Sequence, residues 1–234
     1  MALLLHIDTA TESAGIYLSE NNQLIASEQN HEQKNHASFI QPAIQKILQQ
    51  QNKSLHNIDA VSVVNGPGSY TGLRVGLASA KGICYALNKP LITLNTLHIM
   101  AYTIHHNIQH ILPENNHSTP ILYCPMIDAR RMEVYCALYN QHLQEVFKPT
   151  ALIIHEQTFS EELNQHYIVF SGNGHDKFKH ICTHPHAIYS AITYTQNSII
   201  ALAEEDFNKK QFANLPYSQP FYLKEVYIPS KQNI

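Results

Sequence analysis

An apolar, β-branched run from Ile58 to Val64 breaks into Asn65-Gly66-Pro67-Gly68, and a helical pattern follows from about Leu73 to Leu87. Asn88-Lys89-Pro90 stops that helix, and Leu91 to Leu94 reads as the next strand. Strand, glycine loop, helix, strand is a βαβ crossover; it joins parallel neighbours and demands helices over the sheet faces. A chain built around it is held to the α/β class. Its 234 residues allow one large domain or two small ones. With 44% hydrophobic and 14% charged residues it has the apolar material for a core, which excludes wholesale disorder.

The formal net charge of -3 argues against autonomous tight binding to nucleic-acid phosphates, although a partner can supply the basic surface. No stretch reaches the roughly 20 apolar residues of a membrane span. The apolar start lacks a basic segment and is stopped by Asp8, so it reads as a first strand rather than a signal peptide. Cys84, Cys124, Cys136 and Cys182 are far apart with no CxxC pair, which suits a reducing cytoplasm better than a disulfide framework or a cysteine zinc site.

The opening reads as a meander of Leu3 to Asp8, Ala14 to Leu18 and Gln23 to Glu28, with Asn21-Asn22 as a turn. Ile40, Ala43, Ile44, Ile47 and Leu48 recur at helical spacing through Gln50, with Pro42 placed in the first turn. Leu97 to His110 reads as one helix. The loop 113–120 is the best boundary. Beyond it the pattern restarts: strands at Ile121 to Ile127, Met132 to Tyr139, Leu143 to Phe147 and Tyr167 to Phe170, a weak helix at Glu156 to Leu163, a last helix at about Asn197 to Lys209, and an extended tail from Pro216 to Pro229. The first strand of each half ends on an Asp, Asp8 and Asp128. That organisation, without a residue-level repeat, suggests two related α/β units.

Several residue sets could carry chemistry. Gly66-Pro67-Gly68-Ser69-Tyr70-Thr71-Gly72 stands between a buried strand and a helix N-terminus, where N–H groups and the helix dipole favour an anion. It is neither a Walker A loop nor GxGxxG, and a plain tight turn explains it about as well. Gly72, Gly76 and Ala80 fall on one helix face and make a groove for another backbone, either the chain's own sheet or a partner helix. Asp8-Thr9-Ala10-Thr11 could hold a metal-nucleotide or form an Asx-type turn. Asp128-Ala129-Arg130-Arg131 sits similarly, as a site or as an ion pair. Among the 16 histidines, His105, His106 and His110 give an HxxxH spacing without a third ligand, and His180, Cys182, His184 and His186 cluster in a loop. Ser69 does not lie in GxSxG, which weighs against a serine hydrolase.

Taken together, certain segments resemble the TsaB (YeaZ) family. They are Leu5-His6-Ile7-Asp8-Thr9-Ala10-Thr11, His36 opening the first helix, Asn65 through Gly76, Ile127-Asp128-Ala129-Arg130 with Glu133-Val134-Tyr135, Gly172-Asn173-Gly174, and Pro220-Phe221-Tyr222-Leu223. The resemblance implies the actin-like ATPase fold, shared with sugar kinases: two RNase H-like lobes, each a mixed sheet flanked by helices. It divides the chain into an N-terminal lobe, 1–112, with partner-binding helices, and a smaller C-terminal lobe, 113–234, whose final helix can pack back on the first.

The resemblance further implies a role in making N6-threonylcarbamoyladenosine beside the anticodon of tRNAs that read ANN codons. A non-catalytic TsaB would bind the catalytic paralogue TsaD, joined by the ATPase TsaE, with tRNA met only through the complex and a homodimer when alone. TsaD carries an HxxxH metal pair after the strand that follows its glycine-loop helix; here Asn95-Thr96-Leu97-His98 stands there, and no metal or cofactor is expected. The expected partner face comprises His36, Ile40, Ile44, Gly72, Arg74, Val75, Gly76, Ser79 and Ala80. The expected vestigial nucleotide residues are Asp8, Thr9, Thr11, Gly66, Gly68, Ser69, Asp128, Gly172 and Gly174. Two enzyme readings stand beside the scaffold: an ATP-dependent enzyme of the same superfold, and a peptidase acting on the paralogue.

Overall fold

The computed structural model describes residues 2–32, 36–112 and 119–224. The opening meander forms as its pattern predicts: β1 (Leu3–Asp8), β2 (Ala14–Glu20) and β3 (Gln23–Asn30) pair antiparallel. Asn21 and Asn22 turn between β2 and β3 with positive φ, which Asn tolerates. β4 (Ala60–Gly66) lies parallel beside β1, and β5 (Leu91–Asn95) parallel beside β4. The crossover between them is α2 (Tyr70–Leu87), and α1 (His36–Gln50) lies between β3 and β4 in the chain.

The second sheet repeats the plan. β6 (Ile121–Asp128), β7 (Glu133–Tyr139) and β8 (Glu145–Ile153) form a meander, while β9 (Tyr167–Ser171) and β10 (Ala187–Ser190) add in parallel beyond β6. The two orders, β3-β2-β1-β4-β5 and β8-β7-β6-β9-β10, are the same strand for strand. Asp8 and Asp128 end the equivalent first strands. Gly66 and Gly172, with φ of 118° and 89°, stand at the ends of the equivalent fourth strands, where the backbone leaves the ladder through a conformation glycine allows. This is the two-lobed α/β architecture expected from the sequence.

On one face of the first sheet, Leu3, Leu5, Ile7, Ile16, Leu18, Val61 and Val63 meet Ile40, Ile44 and Ile47 of α1 and Leu77, Ala80, Ile83 and Cys84 of α2. On the other face Leu4, Tyr17, Ile92 and Leu94 meet Ile99 of α3 (Thr96–His106) and Ile199, Leu202 and Ala203 of α7 (Gln196–Asn208). The last helix therefore lies on the first sheet, tied to α3 by a 2.8 Å hydrogen bond between Thr103 and Ser198. α3 is apolar on a second side too: Leu97, Met100, Ala101 and Ile104 pack on Tyr123, Ala137, Tyr139 and Val169 of the second sheet. One helix thus forms part of both cores. The far face of the second sheet is closed by Phe159, by Leu163 of the short α5 (Ser160–Gln165) and by Phe178 of α6 (His175–Lys179). α6 occupies in this half the place that the 18-residue α2 holds in the first.

A polar rung crosses the first sheet. The His6 ring, fully buried on β1, bonds Ser62 Oγ on β4 at 2.7 Å and Ser19 Oγ on β2 at 2.8 Å. Burial pushes its pKa down to about 3, so the ring is neutral near pH 7 and both nitrogens are partnered.

Some elements depart from expectation. α1 starts at His36, whose buried ring bonds the Glu12 carbonyl at 3.2 Å and anchors the first turn, so Pro42 lies inside the helix rather than in its opening turn. The apolar stripe on Ile40, Ala43, Ile44 and Ile47 outweighs the cost of an interior proline. The single helix expected from Leu97 to His110 breaks at Asn107 into α3 and α4 (Ile108–Ile111), with the Asn107 amide bonded to the Thr103 carbonyl. β8 runs further than Phe147, pairing along β7 to Ile153. The weak helix starts at Ser160, later than expected, because Phe159 takes a left-handed turn (φ 60°) to bury its ring. α6 and β10 were too short and too polar to read. Positions 113–118 of the boundary loop and 225–229 of the tail lie outside the described residues.

The seating of α2 fixes the relation of helix to sheet. Thr9, just past β1, donates its hydroxyl to the Gly72 carbonyl at 2.7 Å. A Cβ at Gly72 would strike the Thr9 carbonyl oxygen, and one at Gly76 the Thr9 hydroxyl, whereas a Cβ at Gly82 would meet nothing within 4 Å. Gly82→Ala should therefore stabilise the protein by about 1 kcal/mol through helix propensity. Gly76→Ala should lose about 1–3 kcal/mol, because displacing Thr9 breaks a buried hydrogen bond. Urea unfolding midpoints read both; equal shifts for the two variants would contradict the seating.

Candidate functional site

The candidate residues converge where β1, the glycine loop and the C-terminal segment meet. Asp8 closes β1 and is buried. Its carboxylate accepts the Ala10 N–H at 3.0 Å, an Asx-type turn, and the Tyr194 hydroxyl at 3.0 Å. Burial raises its pKa to about 6, opposed by those two donors and by the nearby His36 ring. Burial and the adjacent carboxylate push the Tyr194 hydroxyl well above its ordinary range, so it remains a donor. Thr11 bonds the Ser13 carbonyl at the exposed edge of the turn.

The glycine loop packs directly against this turn. Ser69 N–H donates to the Ala10 carbonyl at 2.7 Å, and Ser69 Oγ caps α2 by accepting the Gly72 N–H at 3.4 Å. A Cβ at Gly68 would collide with the Ala10 carbonyl. At Gly66 it would lie 2.6 Å from the Phe221 carbonyl oxygen, and Phe221 N–H donates to the Asn65 carbonyl at 2.7 Å. The space that these glycines open is thus filled by the chain's own backbone, residues 9–10 on one side and 221 on the other. The residues do not fit a bound phosphate or metal-nucleotide: the Asp8 carboxylate and the Ser69 N–H are already committed inside the chain.

The second half tells the same story. A Cβ at Gly172 would strike Met100 and the Met126 carbonyl, and one at Gly174 would press on the backbone of Ile127 and Asp128. Asn173 Oδ1 accepts the Asp128 N–H at 2.9 Å. The Asp128 carboxylate binds Lys177 at 2.8 Å and the Arg130 N–H at 2.6 Å; partial burial acts against these contacts, yet they hold its pKa below the usual carboxylate value.

Of the residues expected on the partner face, His36, Ile40, Ile44, Gly72, Gly76 and Ala80 are buried within the chain. Of the two occupants left open for the small-residue groove, the chain's own Thr9 and sheet are the ones that pack against Gly72, Gly76 and Ala80. Arg74 is exposed, and Val75 and Ser79 are half-buried. The outward side of α2 carries Thr71, Arg74, Ala78, Gly82 and Tyr85, the last 83% exposed. Small residues are therefore present on both sides of α2, one side filled and the other exposed among the described residues.

The histidines have local partners. His105 meets the Tyr123 hydroxyl, His106 stacks on Tyr102 and bonds its carbonyl, His98 stacks on Tyr139, and His186 bonds the Leu163 carbonyl. Among the described residues no three His, Cys, Asp or Glu side chains converge to hold a metal ion, and no helix is long and apolar enough to cross a membrane.

Two contributors escaped the sequence. Tyr194 reaches Asp8 across 186 positions. The segment 213–224 straps the first lobe to the second: Ala213 N–H bonds Leu91, Lys81 bonds the carbonyls of Pro216 and Ser218, Tyr222 bonds Arg74 Nε at 2.9 Å, and Lys224 reaches Glu133 at 2.6 Å. The Pro220-Phe221-Tyr222-Leu223 motif was visible, but nothing local says where it docks.

Asp8 yields a pH prediction. Its folded pKa stands above the ordinary 3.8, so the protonated form favours folding. That contribution is complete below about pH 4 and is lost as pH rises through about 6. Asp8→Asn, uncharged throughout, should gain about 1–3 kcal/mol on the native chain between pH 4 and pH 7. Denaturant unfolding at both pH values checks this; a difference that does not change with pH would refute it.

Comparison with known proteins bears on what this arrangement belongs to. A family model described as TsaD: tRNA N6-adenosine threonylcarbamoyltransferase matches residues 23–225. The "tRNA threonylcarbamoyladenosine biosynthesis protein TsaB" of Buchnera aphidicola is 30% identical over 182 residues, covering 75% of this chain and 76% of that one. The Escherichia coli protein of that name is 32% identical over 66% of this chain and 65% of its own length. The Bacillus subtilis one is 31% identical over 58% of this chain, and the match spans about half its length, 55%. Two Pseudomonas aeruginosa structures, one titled YeaZ and one described by similarity to "peptidase YEAZ", superpose with TM-scores of 0.71 and 0.74 at 19% and 20% identity, covering 95% and 96% of this chain and all of theirs, and share its fold. The chain belongs to the TsaB family.

Proposed function

We propose that this chain is a non-catalytic subunit in the biosynthesis of threonylcarbamoyladenosine in tRNA, working in the cytoplasm by binding the catalytic paralogue TsaD. The observation that carries this reading is the packing of residues 9–10 against Gly68, Gly72 and Gly76, which fills the space a phosphate would need. A chain with its glycine loops committed to its own backbone has no evident means of handling ATP, which weighs against the superfold-enzyme reading. Ser69 serves as a helix cap, and among the described residues no histidine or carboxylate bonds its hydroxyl, which weighs against a peptidase.

The partner surface is the outward side of α2. Ala78 and Gly82 let another helix approach closely, and Tyr85 offers a large exposed ring as an anchor. A related chain presenting the same helix would pair with it about a twofold axis, and a second copy of this chain would do so when the paralogue is absent. TsaE joins the assembly through the paralogue, and tRNA is engaged by the complex.

Sedimentation of this chain, of TsaD and of their mixture should show a one-to-one heterodimer growing at the expense of homodimers. Gly82→Arg should abolish it and Tyr85→Ala should weaken it at least tenfold, while the fold is unchanged by circular dichroism. Transfer of the threonylcarbamoyl group by TsaD should rise on adding the native chain and not on adding Gly82→Arg. Activity of this chain alone, or a heterodimer indifferent to both substitutions, would sink the proposal.

A further inference from the structure

A concave site lies apart from the outward side of α2. The strap crosses the mouth of the glycine loop and leaves a cavity of about 270 Å³ between the lobes, floored by Pro67 and Gly68 and walled by Tyr70, Tyr135, Tyr222 and Lys224. The walls are aromatic and organised. Tyr70 and Tyr222 lie 5.1 Å apart at 32°, and the Arg74 guanidinium sits 4.1 Å over the Tyr70 ring while its Nε bonds the Tyr222 hydroxyl.

Cations gather at the same place. Of the chain's three arginines, Arg74 touches the Tyr70 and Tyr222 rings that line the cavity, and Arg130 and Arg131 precede Glu133, which holds the lining residue Lys224. Arg130 and Arg131 form the β6–β7 turn, whose Arg130 carbonyl accepts the Glu133 N–H, and Glu133 in turn holds Lys224. Both arginines are exposed, and both take positive φ, 71° and 49°. Consecutive left-handed L-residues are strained, and such strain concentrates at functional positions. Lys177 pairs with Asp128 and Lys224 with Glu133, and the exposed Arg130 and Arg131 add positive charge on this side of a chain of net charge -3. Rings to stack on, flanked by cations for phosphate, are the physical requirements of an unpaired nucleobase in RNA.

We propose that this cavity takes one unpaired base of an RNA strand, stacked between Tyr135 and the Tyr70–Tyr222 pair, with its flanking phosphates met by Arg130, Arg131 and Lys224. The site deepens the function proposed above and rests on it: the chain would hold part of the tRNA while the paralogue reacts with it. Its local charge reconciles contact within an assembly with the weak binding that the overall charge implies for the chain alone.

The test is fluorescence polarisation of a labelled anticodon stem–loop RNA against the complex with TsaD and, at low salt, against this chain alone. Tyr135→Ala should weaken both about tenfold, and Tyr135→Phe should restore binding to within about twofold of the native chain. Arg130→Ala and Arg131→Ala should each lower the slope of log affinity against log salt by about one. Sedimentation of the same samples separates the two readings: absence of a complex refutes the scaffold, and the chain-alone titration still decides the cavity. Unchanged RNA affinity in Tyr135→Ala samples that sediment normally overturns the inference. So does displacement of the RNA by free AMP at concentrations near its own, which would assign the cavity to a mononucleotide.

Discussion

The contact between the N-terminal turn of α2 and residues 9–10 organises this molecule. Thr9 holds the Gly72 carbonyl, Ser69 N–H holds the Ala10 carbonyl, and three glycines remove the Cβ atoms that would otherwise keep helix and turn apart. The approach brings Leu77, Ala80 and Cys84 onto Ile7 and its neighbours and so closes one face of the first sheet. It also turns the glycine loop from a cradle into a joint, because the Ser69 and Gly72 N–H groups and the space beside Gly68 are taken up within the chain.

A second consequence concerns the outward side of α2. A helix of 18 residues that is packed on one side by glycine and alanine, and that carries Ala78, Gly82 and Tyr85 on the other, can be approached closely from both directions. The interior approach is satisfied by the sheet. In the second lobe the equivalent helix has shrunk to His175–Lys179, so the duplicated plan offers this surface once. The lobes themselves are held by α3, apolar on two sides, by the Asp8–Tyr194 bond, and by a strap whose contacts are mostly exposed and individually weak.

Much of this was legible beforehand. Period-two and β-branched runs announced nine of the strands, and the βαβ signature located α2 and its parallel neighbours. The placement of Asp8 and Asp128 at equivalent strand ends hinted at the duplication. Illegible were the features whose signal is short or distant: α6 and β10 are a few residues each, and Pro42 alone misplaced the first turn of α1, which begins at His36 as the resemblance implied. The small-residue stripe was seen, but periodicity assigns residues to a common face without saying what that face meets.

The amino-acid sequence by itself determined the α/β class, the order of the elements and the positions where backbone must approach backbone, because these follow from local periodicity and from the absence of a Cβ. Only the tertiary structure decided which backbone arrives there. Gly68, Gly72 and Gly76 admit a phosphate, a partner helix or the chain's own turn with equal ease. The choice fell to residues 9–10 because β1 pairs with β4 and delivers that turn to the mouth of the loop. Long-range pairing of this kind leaves no mark on the residues nearby, so the role of the glycines could be stated only once the sheet was closed.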